Sequence, residues 1–166
     1  MKRLITLAII VLIAVATLTT SARVPRKDRP DIPFMQLVDS IAVLSHWNQE
    51  NLAQLGLQEI FSDSEEDEEC GTFIYFVHGN NVEIATQDGW NVTLAATGPH
   101  AYAIEVTLMT DNDTNLYFKD ESDYQIFISC IKQSSKYNSD YDQLGYNLIE
   151  RKGLVDGWYV ISFHAG

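Results

Sequence analysis

Between Phe34 and Leu44 the apolar residues Phe34, Leu37, Val38, Ile41 and Leu44 recur three or four places apart, which lines them along one side of an α-helix. Pro33 suits the first helical turn, and Asp31 stands where an N-cap is wanted. The stripe continues less regularly through Trp47, Leu52, Leu55 and Ile60. Either Asn48 caps a second short helix, or the first runs on with a bend before Gly56. From Gly71 the period falls to two. GTFIYFVH, VEIAT, NVTLAAT, AYAIEVTLM, LYF, YQIFISCI, YNLIE and GWYVISFHA read as strands, dense in β-branched and aromatic residues. Turn chemistry separates them at Gly79-Asn80-Asn81, Gln87-Asp88-Gly89, Gly98-Pro99, Asp111–Asn115 and Lys119–Asp123. Only SSKYNSDYDQLG lacks a period, and it reads as a long surface loop.

Short links force neighbouring strands to run antiparallel, and an amphipathic helix laid across such a sheet buries both apolar surfaces at once. The expected class is therefore α+β: an N-terminal amphipathic helix packed on an antiparallel sheet of six to eight strands, within one domain over residues 33–166. The alternative is a β-barrel or sandwich with a peripheral helix, because the strand count is high enough to close.

The residues before the helix follow a different logic. Met1-Lys2-Arg3 is basic, Leu4–Leu18 is uncharged and mostly apolar, and Thr20 and Ala22 are small. That is the form of a secretory signal over residues 1–22, cut after Ala22. The apolar run is short of the roughly 20 residues of a membrane span, so no stable insertion is expected after cleavage; the alternative is an uncleaved anchor. Residues 23–32, with two of the four prolines, read as a flexible leader, and Arg26 fits a minimal processing site. The expected location is extracellular or periplasmic.

Charge narrows the partners. The chain has 11 basic and 23 acidic residues, a net −12, and loss of Lys2 and Arg3 makes the remainder more acidic still. Nucleic acid and anionic lipid need positive charge to displace counterions, so both are excluded as expected partners. In an oxidising compartment the pair Cys70 and Cys130 reads as one disulfide stapling the two halves of the domain.

The acidic run SDSEEDEEC raises its own question. Asp63, Glu65, Glu66, Asp67, Glu68 and Glu69 offer hard oxygen ligands, but a contiguous run spreads its carboxylates, whereas calcium wants six to eight oxygens converging. Weak, diffuse calcium association is the most it suggests, and no cofactor is expected. Ser64, two places before Glu66, matches a secretory-pathway phosphorylation pattern. The plainest use of the run is a solvated link that keeps off a sheet edge. At DNDTN, Asp111, Asp113 and Asn115 fit the first positions of a calcium loop, but Leu116 replaces its glycine and Ser122 its final glutamate, so that reading fails. Asn91-Val92-Thr93 and Asn112-Asp113-Thr114 are sequons, making Asn91 and Asn112 candidate glycosylation sites.

Chemistry of the enzymatic kind has little support. His46, His78, His100 and His164 show no helical metal spacing, and no Gly-x-Ser-x-Gly or glycine-rich phosphate loop is present. An enzyme is the lesser expectation. Tyrosine offers wide contact area at low entropic cost, which makes Tyr137, Tyr141 and Tyr146, interleaved with Asp140 and Asp142, the candidate recognition surface for a basic protein or a sugar.

The sequence of apolar head, helix, sheet and late cysteine resembles the arrangement of type IV pilins, and a helix leading into a meander resembles cystatin-like inhibitors. The pilin Phe-Thr-Leu-Ile-Glu-like processing motif and the inhibitory Gln-x-Val-x-Gly loop are both missing, so neither resemblance carries a function. The expectation is a secreted, disulfide-stapled recognition or structural module that binds an extracellular protein or glycan. The alternatives are a filament or surface-assembly subunit, with an exposed apolar helix face, and a small secreted hydrolase.

Overall fold

The computed structural model describes residues 34–44, 47–63, 72–77, 81–89, 91–108 and 113–165. The apolar stripe near the start forms helix α1 (Phe34–Val43), which buries Phe34, Leu37, Val38, Ile41 and Ala42. Helix α2 (Gln49–Gln54) is separate and short. Asn48 caps it, its side-chain oxygen accepting from the Asn51 N–H at 2.9 Å, so the two-helix alternative is the one realised. The signal segment, the leader, Asp31 and Pro33 lie outside the described residues, as do Ser64, Glu65–Glu69, Cys70 and Asn112.

The described residues form ten strands: β1 (Gln58–Asp63), β2 (Thr72–Val77), β3 (Val82–Asp88), β4 (Asn91–Ala96), β5 (Tyr102–Leu108), β6 (Asp113–Phe118), β7 (Tyr137–Asn138), β8 (Gln143–Leu144), β9 (Asn147–Val155) and β10 (Trp158–Ala165). Eight of them make one sheet in the order β1-β2-β5-β6-β10-β9-β8-β7, with every neighbouring pair antiparallel. β3 and β4 form a separate hairpin. The fold is thus α+β; β1 and β7 are left as edges, so the sheet does not close into a barrel.

Two sequence expectations change here. Ile60 belongs to β1 rather than to a helical stripe, and a bulge between Glu59 and Phe61 interrupts its pairing with β2. The larger change is helix α3 (Glu121–Gln133), which occupies the stretch YQIFISCI. Its β-branched and aromatic content suggested a strand, yet Tyr124, Phe127, Ile128 and Ile131 sit at i, i+3, i+4 and i+7, and all are buried. Glu121 and Asp123 in the first turn and Lys132 in the last suit the helix macrodipole. A helical period outweighed β propensity.

Helices α1 and α3 cover one face of the sheet. Phe34 meets Tyr102, Phe118 and Phe127 edge-on at 5.5–5.6 Å between ring centroids, and Phe127 reaches Phe163 at 6.3 Å. Each such contact adds about 0.5–1.5 kcal/mol beyond area burial, so the α1 stripe is bound to the core rather than offered to a partner. That removes the premise of the filament alternative. On the opposite face the β3–β4 hairpin packs Val82 against Val77, Ala101, Ala103, Trp158 and Val160. Trp158 Nε1 donates to the Leu94 carbonyl at 3.2 Å. Next to this patch the sheet face turns polar: buried Glu105 accepts from Asn115 Nδ2 at 3.1 Å and from the Tyr117 hydroxyl.

The expected disulfide is corrected. Cys130 is a free cysteine on the buried side of α3, and no disulfide occurs among the described residues; Cys70 lies outside them. Burial pushes the Cys130 thiol pKa up. The cohesion assigned to a covalent staple comes instead from the aromatic layer under α1 and α3. Among the described residues no helix is long and apolar enough to cross a membrane.

Candidate functional site

The aperiodic segment after α3 is not a loose loop. The Lys136 N–H donates to Ser134 Oγ at 3.2 Å, and β7 then pairs with β8 in a small hairpin. Within its turn the Asp140 N–H donates to Asn138 Oδ1 at 3.0 Å, an Asx-type closure. Leu144, in β8, is fully buried. Gly145, at φ 65°, fits against the end of α1, where a Cβ would stand closer than 3.0 Å to the Ala42 carbonyl oxygen. Buried Asn147 donates from Nδ2 to the carbonyls of Ile41 at 2.9 Å and Leu44 at 3.1 Å. It thereby satisfies acceptors that the end of α1 leaves open.

Tyr137, Asp140, Tyr141 and Asp142 of the sequence reading lie in this hairpin and Tyr146 in the turn that follows β8, with distinct parts. Asp142 accepts from both terminal guanidinium nitrogens of Arg151, Nη1 and Nη2, the latter to Oδ1 at 2.7 Å, and from the Tyr137 hydroxyl at 3.0 Å. Its charge is therefore matched, and its effect is to hold the Tyr137 ring. Tyr137 and Tyr146 both line a surface depression of about 560 Å³. Tyr146 is 74 % exposed and Tyr141 70 % exposed, but Tyr141 and Asp140 are not part of that lining. The remaining lining residues include Lys136, Asn138, Ser139 and Gln143, with Ala42 at the end of α1. Sequence reading had singled out the tyrosines by type. It missed Lys136, just before Tyr137, and Gln143, between Tyr141 and Tyr146, whose signal was only their nearness to those tyrosines, and Ala42, which comes from a distant element.

A smaller cavity of about 240 Å³ lies between the β3–β4 hairpin and the sheet, lined by Val92, Leu94, Tyr117, Val155 and Trp158. Asn91, the described sequon asparagine, is exposed at the start of β4 beside it.

Two histidines are held by carboxylates. His164 lies between Asp113, at 2.7 Å from Nδ1, and Glu150, at 3.2 Å from Nε2. Burial lowers its pKa, but the two hydrogen bonds and the charges of Asp113 and Glu150 outweigh that and leave it raised above 6.5. His100, at φ 57°, is fixed by its backbone N–H donating to Asp120 Oδ2 at 2.8 Å, while its Nδ1 meets Asp123 Oδ2 at 2.8 Å. His46 and His78 lie outside the described residues. Of the acidic run, Asp63 ends β1, opposite Phe73 of β2; of DNDTN, Asp113 to Asn115 lie in β6.

No family model, no curated protein and no solved structure matches the chain.

Proposed function

We propose that the protein is a non-catalytic binding module that takes a glycan in the depression between α1 and the β7–β8 hairpin. The observation that carries the reading is the meeting of Tyr137 on the hairpin and Tyr146 in the turn after it with amide and hydroxyl side chains, on a surface braced by Asp142 and Asn147. Sugars present an apolar ring face bordered by hydroxyls, and an aromatic ring beside hydrogen-bonding groups complements both. Because Asp142 and Asn147 already fix the surface, little ordering entropy is lost on binding. A basic protein partner fits less well: Asp142 is neutralised by Arg151, and Lys136 is the charged residue of the lining. In this reading the module works after export, with its apolar head removed at Ala22, and no disulfide takes part.

The test is a screen of the purified chain against neutral and acidic oligosaccharides, followed by titration calorimetry of any hit. Tyr146→Ala, at an exposed position, should weaken binding roughly two- to tenfold, the worth of one aromatic contact. Tyr141→Ala should leave it unchanged. Equal losses in both variants, or no binding by the parent chain, would refute the assignment.

A further inference from the structure

The turn between β4 and β5 and the start of α3 meet at one place on the surface, and three side chains able to ligate a metal meet there with them. His100 Nδ1 lies 2.8 Å from Asp123 Oδ2 and 4.0 Å from Asp120 Oδ2, and the ligand atoms all fall within 4.8 Å of one another. Around a tetrahedral ion with bonds of about 2.0–2.2 Å, donors stand roughly 3.3–3.6 Å apart. These two separations bracket that figure and the third is at most 4.8 Å, so side-chain shifts of about an ångström or less would bring the donors round one ion.

Two features set this cluster apart from acids gathered at a helix start. One donor is an imidazole nitrogen, brought in from a separate turn and backed by a left-handed backbone conformation at His100. Another is a carboxylate whose side chain is only 4 % exposed, with the same imidazole as its partner. A buried carboxylate calls for a countercharge, and here one imidazole faces two carboxylates. The N-terminus of α3 opposes a cation with roughly half an elementary charge, which two full carboxylates outweigh.

We propose that His100, Asp120 and Asp123 hold one zinc ion, with the fourth position taken by water. Mixed nitrogen and carboxylate donors suit zinc, whereas calcium needs six or more oxygens. The ion would tie the β4–β5 turn to α3. The site is independent of the tyrosine-lined depression, and neither proposal needs the other.

The full chain, stripped with a chelator and dialysed, is titrated with zinc chloride and, in parallel, with calcium chloride. The expected result is one zinc per chain, with calcium far weaker. His100→Gln and Asp120→Asn should each weaken zinc binding at least about tenfold. His164→Gln, which removes the other carboxylate-flanked histidine, should not. Asp123→Asn disturbs a buried position and risks the fold, so Asp120, whose side chain is 43 % exposed, carries the decision. Absence of saturable zinc binding, binding unchanged in H100Q and D120N, or binding lost in H164Q would each overturn the site.

Discussion

Replacing Asn147 by alanine should be the most costly single change outside the aromatic core. The Asn147 amide reaches the carbonyls of Ile41 and Leu44 at 2.9 and 3.1 Å and stands 3.4 Å from that of Leu144, in a buried setting. Alanine removes the donor and leaves at least the Ile41 and Leu44 carbonyls without it. An unsatisfied buried group costs about 1–3 kcal/mol; the Leu44 carbonyl regains part of its loss from water because that bond is only part-buried. The expected sum is about 2–4 kcal/mol, a large share of the ~5–15 kcal/mol that holds a domain together. For a chain of this size it should lower the thermal midpoint by roughly 4–16 °C. Urea unfolding of the parent and variant, with both midpoint and slope fitted, measures it directly. An unchanged slope with a loss of this size supports the account. A loss below about 0.5 kcal/mol, the range of ordinary surface changes, would show that the amide does not cap α1. Glycan affinity should fall with it, since the same contact seats the β8–β9 turn.

Gly145→Ala should destabilise by more than 1 kcal/mol, because a side chain there meets both the left-handed φ of 65° and the Ala42 carbonyl; equilibrium unfolding checks it. His164 has a raised pKa, so its contribution to stability is fully present below the unfolded value near 6.5 and is lost as pH rises through the higher folded value. Thermal midpoints measured from about pH 5 to 8.5 should show this fall in the parent chain and a flatter course in His164→Gln; parallel curves would refute it. In a Cys70→Ser background, the Cys130 thiol should react with an aromatic disulfide reagent slowly in the native state and fully in denaturant, because it is buried and its pKa is raised. Equal rates in both states would contradict its placement.

The legible parts of the fold were those whose signal is local. The α1 stripe, the Asn48 cap and the β3–β4 and β9–β10 segments all follow from spacing within a few residues. Helix α3 was equally written in the chain, in Tyr124, Phe127, Ile128 and Ile131, but the same residues are also good strand formers, and reading composition before period placed it wrongly. β7 and β8, at two residues each, are too short to carry a period at all. Their order is held by Gly145 and Asn147 meeting α1, contacts about a hundred positions apart in the chain. The candidate sites divide in the same way. Tyr137 and Tyr146 were recognisable by residue type, whereas nothing in the spacing of His100, Asp120 and Asp123 announced that a turn and a helix start would bring them together.

By itself the sequence determined which side of each segment avoids water, because amphipathic character depends only on neighbours one or two turns away and on the free energy of moving apolar groups out of water. The tertiary structure decided everything that depends on which segments meet. It placed α1 and α3 on one sheet face, left the Cys130 sulfur unbonded, spent the Asp142 charge on Arg151, and set His100 against two carboxylates. Those outcomes rest on contacts between residues far apart in the chain, whose energies exist only once the sheet has chosen its order.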